Sequence, residues 1–407
     1  MSEQGYVETA CTPGLFRHVC KKIAFSLVVD DFGVVYHARQ DAEHLIETLE
    51  ERYQVKTDWE GKKYVGITTR YDKETHTMTL SMPGYVDKAL RKLGVGSGPR
   101  DVHSPTVYVP PEYGKKGPQE APREDLSPAL GQEQVKWFQR VVGLFLFYTR
   151  AVDATLAFGV GKLSTGLVQP TQQTRDQAER LLRYAATHPD ASVTIHPSGM
   201  VLRGESDASW LTEKGSRSRV GGVWFLGSGS DDTPFNASVE AVSAVTKLVA
   251  SSAAEAEYIA LYHNTQKAVR LRATLADLGY PQGPTPIKTD SVCAQGLADG
   301  SKQARRTKAM MMRYDWLKEC VSERTVRIFW RKGAENRADY FTKSLPVHQV
   351  VAWRKQWIGS EQYGQSRWLD MHKRPTRALS FQGVGKAHEL EACIVPTAVE
   401  AVTTEDG

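Results

Sequence analysis

Apolar residues along the chain alternate between two periods. At helical spacing, residues 42–53 carry Leu45, Ile46 and Leu49, residues 135–156 carry Phe138, Val141, Val142, Leu144, Phe145 and Tyr148, and residues 174–187 carry Ala178, Leu181, Leu182 and Ala185. Residues 85–93 read as a further helix. The longest helical pattern starts at Ser251 and Ser252, candidate N-caps, with Glu255 a turn further in. It continues through Ile259, Tyr262, Leu271, Leu275 and Leu278 to a stop at Gly279, with Pro281 just beyond. Strand-like runs occupy 201–210, 220–226, 286–291 and 325–330, and a poorly patterned one occupies 237–246. Near the start, residues 23–36 are two β-prone runs around Asp30 and Asp31, a hairpin with carboxylates at its turn. Residues 59–68 and 77–82 alternate like paired strands.

This pattern predicts an α/β protein in two parts. Residues 1–95 form the first, 96–133 are a Pro/Gly-rich linker, 134–197 are helical, and 198–345 give strand, strand, strand, long helix, strand, helices, strand and a last helix near Asp339. From residue 346 to 407 the periodicity fades, and a partly disordered tail is expected.

Composition narrows the class. With 407 residues, 41% hydrophobic and 24% charged, the chain has material for two or three cores. A net charge of +5 is compatible with nucleic acid without demonstrating it. The cysteines, Cys11, Cys20, Cys293, Cys320 and Cys393, form no close pair, so neither a zinc site nor a disulfide framework is indicated. The N-terminus has no apolar signal region, and the most apolar run, 141–148, is too short to span a bilayer. The expected setting is intracellular, cytoplasmic or nuclear.

The candidate chemistry lies in an ordered set of acids, each at a strand end or a helix start: Asp207, Glu255, Asp290 and Asp339. Two divalent cations about 4 Å apart need such a carboxylate cluster. Mg²⁺, a hard oxygen-seeking ion, is the expected cofactor, with Mn²⁺ as the alternative. Glu257 competes with Glu255, but the two lie roughly 200° apart around a helix and cannot share one site.

The stretches SDASW (206–210), SSAAEAEY (251–258), IKTDS (287–291) and NRADYFTK (336–343) together resemble the ribonuclease H domain of copia-type retrotransposon polyproteins. The resemblance implies a ribonuclease H-like mixed sheet over 198–345. It implies hydrolysis of the RNA strand of an RNA–DNA hybrid, with Asp207, Glu255, Asp290 and Asp339 as metal ligands and Glu257 left to solvent. The hybrid, or another nucleic acid, is the expected partner; no membrane is.

The hairpin resembles the Tyr-x-Asp-Asp motif of reverse transcriptases, with Val28 in place of the tyrosine, Asp30 as the carried-over ligand and Asp31 its neighbour. Residues 1–95 then correspond to a truncated α+β palm and thumb. Because 22 residues precede the hairpin, the family's upstream aspartate and fingers are expected to be missing, and an upstream reverse-transcriptase part becomes a candidate partner. Polymerase activity is not expected of this chain alone. Residues 134–197 resemble the connection segment, although Arg150-Ala151-Val152-Asp153 lacks its usual proline.

The basic stretch containing Lys302, Arg305, Arg306 and Lys308 is either solvated surface or a phosphate-contacting segment. Ala309 stands where the family has histidine. That departure, with the missing proline, supports an alternative reading: a catalytically decayed remnant that only binds nucleic acid. His188 and His196 have no partners at ligand spacing and read as structural or surface residues.

Overall fold

The computed structural model describes residues 1–96, 101–108, 125–302 and 311–358, and the backbone of 397–402. The chain divides into two compact units, one of residues 1–80, 194–197 and 359–407, the other of 81–193 and 198–358.

The first unit holds β1 (Tyr6–Glu8), β2 (Leu15–His18), β3 (Ile23–Val28), β4 (Asp31–Tyr36), α1 (Arg39–Glu50), β5 (Gln54–Asp58), β6 (Lys63–Tyr64), β7 (Ile67–Asp72) and β8 (Thr77–Ser81). The expected hairpin forms: β3 pairs antiparallel with β4 and Val28 faces Asp31. Its loop is Val29–Asp30, and Val29 takes φ 60°, the left-handed conformation a two-residue hairpin needs. Tyr6, Phe25, Phe32 and Val34 bury one sheet face against Ala42, Leu45 and Leu49 of α1. The strand expected over 59–68 is broken, because Gly61, Val65 and Gly66 all take positive φ. Only β6 and the start of β7 remain of it.

The second unit begins with α2 (Tyr85–Lys92), which the sequence had grouped with the residues before it. Tyr85 stacks on Tyr148, and Trp137 donates its indole N–H to the Leu93 carbonyl at 3.0 Å, so α2 packs on the helices that follow. These are α3 (Gln132–Ala151), α4 (Ala157–Ser164) and α5 (Gln172–Thr187). The expected helix pair of 135–156 is α3 plus a 3-10 turn, Ala154–Leu156, that leads into α4. Strand β9 (Ser192–Ile195) follows.

Next come β10 (Val201–Glu213), β11 (Arg217–Gly227), β12 (Glu240–Val245), α6 (Ala253–Asp277), β13 (Thr285–Thr289), α7 (Val292–Ala298), α8 (Met311–Ser322), β14 (Val326–Trp330) and α9 (Val347–Trp357). The strands form one five-stranded sheet, ordered β12-β11-β10-β13-β14. β10, β11 and β12 pair antiparallel; β10, β13 and β14 pair parallel. This is the mixed sheet that the resemblance to ribonuclease H implies, and the protein is α/β.

Trp224, Ile259, Leu261, Ile287 and Leu317 are fully buried in the core between this sheet and α6 to α8. Asn264 of α6 donates to Ser206 Oγ and to the Gly221 carbonyl, both at 2.9 Å. A Cβ on Gly222 would lie 2.1 Å from Asn264 Oδ1, so a glycine is what lets α6 press onto the two strands.

Two expectations near the end change. The last helix near Asp339 is a 3-10 turn, Arg337–Phe341, capped by the Asn336 side chain accepting from the Ala338 N–H. The tail expected from residue 346 begins with helix α9 instead. Its Arg354 donates to Asp153 Oδ2 at 2.9 Å, Thr155 Oγ1 at 2.8 Å and the Tyr184 hydroxyl at 3.1 Å. Asp153 is 1% exposed, so this segment carries a buried ion pair despite its missing proline. Strand β15 (Thr397–Val402) lies between β4 and β5.

Candidate metal centre

Three of the expected acids converge. Asp207, Asp290 and Asp339 each offer a carboxylate oxygen, and these oxygens all lie within 4.8 Å of one another. Asp207 sits mid-strand on β10, Asp290 just past the end of β13, and Asp339 in the 3-10 turn after β14. β10 and β13 are neighbours in parallel register, Gly204 opposite Ile287, which brings the first two together.

The third is brought in by a buried ionic network beneath the site. Glu205 Oε1 pairs with Lys288 Nζ at 2.8 Å and with Arg337 at 2.6 Å. Its Oε2 accepts the Arg337 backbone N–H at 2.6 Å. Lys288 also donates to the Glu335 carbonyl, and Asn336 donates to the Ser206 carbonyl. Together these contacts pin the segment 335–339 onto β10 and β13.

Asp290 is held from one side by Trp330, whose indole N–H donates to its backbone carbonyl at 2.9 Å. On the other side Gly333 leaves it room: a Cβ there would lie 2.7 Å from Asp290 Oδ2.

Glu255, the fourth acid expected, is not in this group. Glu255 is engaged at the start of α6, where its carboxylate accepts from the Ser251 N–H at 2.7 Å and from the Ser251 hydroxyl. Its own N–H donates to the N-cap Ser252. That capping arrangement turns it away from the aspartates. Glu257, expected to be solvated, instead senses all three of them electrostatically. Its Oε2 is shielded from solvent and has no hydrogen-bond partner. The pattern Ser252-x-x-Glu255 is itself a capping-box signature. It was the signal that could have assigned Glu255 to the cap and freed Glu257 for the site.

The electrostatics are those of crowded like charges. Burial pushes the Asp207 carboxyl well above the usual range and Asp339 raises it further, while Lys343 and the Thr342 hydroxyl that donates to it act in the opposite sense. Burial, then Asp207 and Asp290, raise Glu257 in the same way. Asp290 is raised by burial and by Asp339. Burial pulls the Lys343 ammonium down, but Asp339, which it meets at 2.8 Å, and Asp207 outweigh that and hold it protonated. An all-carboxylate oxygen set, with one shielded oxygen unpartnered, fits a hard divalent ion.

The other candidates lie elsewhere. Asp30 is exposed and Asp31 half-buried on the hairpin, and neither joins a group of three potential ligands among the described residues. Lys302 is exposed, with its backbone N–H donating to the Gly296 carbonyl at 2.8 Å. Arg305, Arg306, Lys308 and Ala309 lie outside the described residues. His188 packs among His103 and Tyr184, and burial lowers it to about 4, a structural histidine.

The retrovirus-related Pol polyprotein from transposon TNT 1-94 of Nicotiana tabacum is 24% identical over 353 residues, 85% of this chain. The Gag-Pol polyprotein of transposon Ty1-DR1 of Saccharomyces cerevisiae is 21% identical over 359 residues, 83% of this chain. The chain is similar to copia-type retrotransposon Pol polyproteins. It spans 25% of the first of these and 19% of the second. Among solved structures, LC11-RNase H1, isolated from compost, matches at 16% identity and a TM-score of 0.28, covering 35% of this chain and 93% of that one. No protein-family model matches. No described helix is long and apolar enough to cross a membrane.

Proposed function

We propose that the second unit is a metal-dependent ribonuclease that hydrolyses the RNA strand of an RNA–DNA hybrid. The observation that carries this reading is the convergence of Asp207, Asp290 and Asp339 within 4.8 Å, at the centre of a ribonuclease H-like sheet. Glu257 completes the set in place of Glu255. Bound there, Mg²⁺ or Mn²⁺ supplies charge for activating a water and for stabilising the leaving 3′ oxygen.

The chain's own residues prepare the site. The Thr342 hydroxyl orients the Asp207 carboxylate, and Gly333 gives Asp290 its space. Lys343 balances part of the crowded charge until a cation arrives. The RNA strand would be selected by duplex shape and 2′-hydroxyls rather than by base sequence. Similarity to Pol polyproteins supports nucleic acid as the substrate class. The first unit, with Asp30 and Asp31, corresponds in this reading to part of a palm.

The test is cleavage of an end-labelled RNA–DNA hybrid by the purified chain with Mg²⁺, with Mn²⁺ and with chelator. Metal-dependent cleavage lost in Asp207→Asn is expected. Hybrid binding without cleavage in either metal would leave a decayed binding module, and the ribonuclease reading would be withdrawn.

A further inference from the structure

Beside the carboxylates the second unit opens into a groove of about 1500 Å³. That exceeds the roughly 300–1,000 Å³ of an ordinary small-molecule pocket. One wall belongs to the nuclease sheet and the turn after it: Ser209 and Thr212 at the β10 bulge, then Asp339, Thr342 and Lys343. The opposite wall is α4 and α5, which contribute Lys162 and Arg180.

The charges on the two walls differ in how they are used. On the nuclease wall, Glu213 is taken by Arg219 and Asp339 by Lys343. Across the groove, Asp176 accepts from Gln172 at 2.8 Å. No described carboxylate pairs with Lys162, whose ammonium lies 5.8 Å from the centre of the Phe158 ring. Arg180 is more telling: its Nε is shielded from solvent and has no hydrogen-bond partner. That nitrogen is closed to the groove, so a phosphate there would meet the Arg180 guanidinium at its outer nitrogens, which no described carboxylate occupies. An extended cavity beside the carboxylates, with two cations on one wall that no described carboxylate neutralises, suits a polymer that offers an anionic oxygen at each step.

We infer that this groove holds the phosphodiester backbone of the nucleic acid leading from the carboxylate site, with Lys162 and Arg180 as phosphate contacts supplied by the helices outside the nuclease sheet. The inference rests on the proposed nuclease reading for the identity of the strand. Helices α4 and α5 are then part of the substrate-binding surface as well as a packing layer. Phosphate contacts position a strand without reading its sequence.

The experiment measures binding of a fluorescein-labelled RNA–DNA hybrid to the full chain by anisotropy, in chelator so that nothing is cleaved, over a range of salt. The double variant Lys162→Gln/Arg180→Gln should bind more weakly. Each lost phosphate contact removes about 0.9 from the log–log salt slope, so the slope should flatten by about 1.8. Arg180→Lys should recover part of the affinity. A charge-matched control, Arg140→Gln/Arg270→Gln, should leave binding near wild type, and equal melting temperatures exclude misfolding. An unchanged affinity and slope in the double variant would overturn the groove assignment, even with cleavage by the wild type intact. Weaker binding in the double variant of a chain that never cleaves would keep the groove and end the nuclease reading. A wild-type chain that does not bind the hybrid would end both.

Discussion

Replacing Asp207 by asparagine should stabilise the metal-free protein, and the gain should depend on pH. Two ionised carboxylate oxygens no more than 4.8 Å apart repel by at least about 3.5 kcal/mol at an effective dielectric of about 20. Asp207 has two such neighbours, so taking up a proton is the cheaper escape, and its raised pKa reflects that. In the unfolded chain it titrates near 3.9, as any aspartate does. A carboxyl whose folded pKa is raised costs nothing below the unfolded value. Above it, the cost grows by about 1.4 kcal/mol per pH unit until the folded pKa is passed, and is constant beyond. Asparagine removes this cost. The variant should therefore match wild type near pH 4 and exceed it by up to about 2.8 kcal/mol at pH 6. Lys343, held 2.8 Å from Asp339, lowers the real figure. For a unit of this size the gain corresponds to roughly 5–10 °C in melting temperature. Thermal melts in chelator across that pH range, repeated with saturating Mg²⁺, read it directly. Mg²⁺ should raise the wild-type melting temperature and do much less for the variant. A variant no more stable than wild type at pH 6, or one that Mg²⁺ stabilises equally, would refute the crowded-charge account of the site.

Other perturbations separate the remaining parts. Glu257→Gln should abolish the Mg²⁺-induced rise in melting temperature and cleavage alike, whereas Glu255→Ala should cost about 0.5–1 kcal/mol of stability through the lost cap and spare cleavage; the reverse pattern would return Glu255 to the site. Gly333→Ala puts a Cβ 2.7 Å from Asp290 Oδ2, so cleavage should fall while hybrid binding in chelator is kept. Arg354→Ala leaves the Asp153 carboxylate buried and unpaired, a loss of about 3–5 kcal/mol, seen as a lower denaturation midpoint. A midpoint within error of wild type would make the α9 contact incidental.

The sequence carried most of the five-stranded sheet, because β11, β13 and β14 show apolar runs bounded by turn residues and α6 has clear start and stop signals, whereas β12 is poorly patterned. Asp207 and Asp290 were legible because each interrupts or closes a strand run, and Asp339 because it stands at an expected helix start. Glu257 was not, since helical periodicity says that Glu255 and Glu257 diverge without saying which faces the sheet. That depends on how α6 is rotated, which Asn264 and the bare Gly222 fix through contacts distant in the chain. Helix α9 was missed because its anchors are few and distant in the chain: Arg354 reaches Asp153, about two hundred residues earlier, and Trp357 packs on Phe235 and Phe341, rather than a regular apolar stripe.

The Glu205 network has a bearing on how the chain is made. β10 carries Glu205 and Asp207 on one face, and the cations that meet Glu205 are Lys288 and Arg337. During synthesis the strand emerges long before either partner. Sealing that face early would strand buried charge, at a cost of several kcal/mol per ion. The central strand thus carries its own guard against premature or mistaken pairing, much as gatekeeper charges protect aggregation-prone segments. The guard is released when β13 and the 335–339 segment arrive, which is also when the acids of the site first meet.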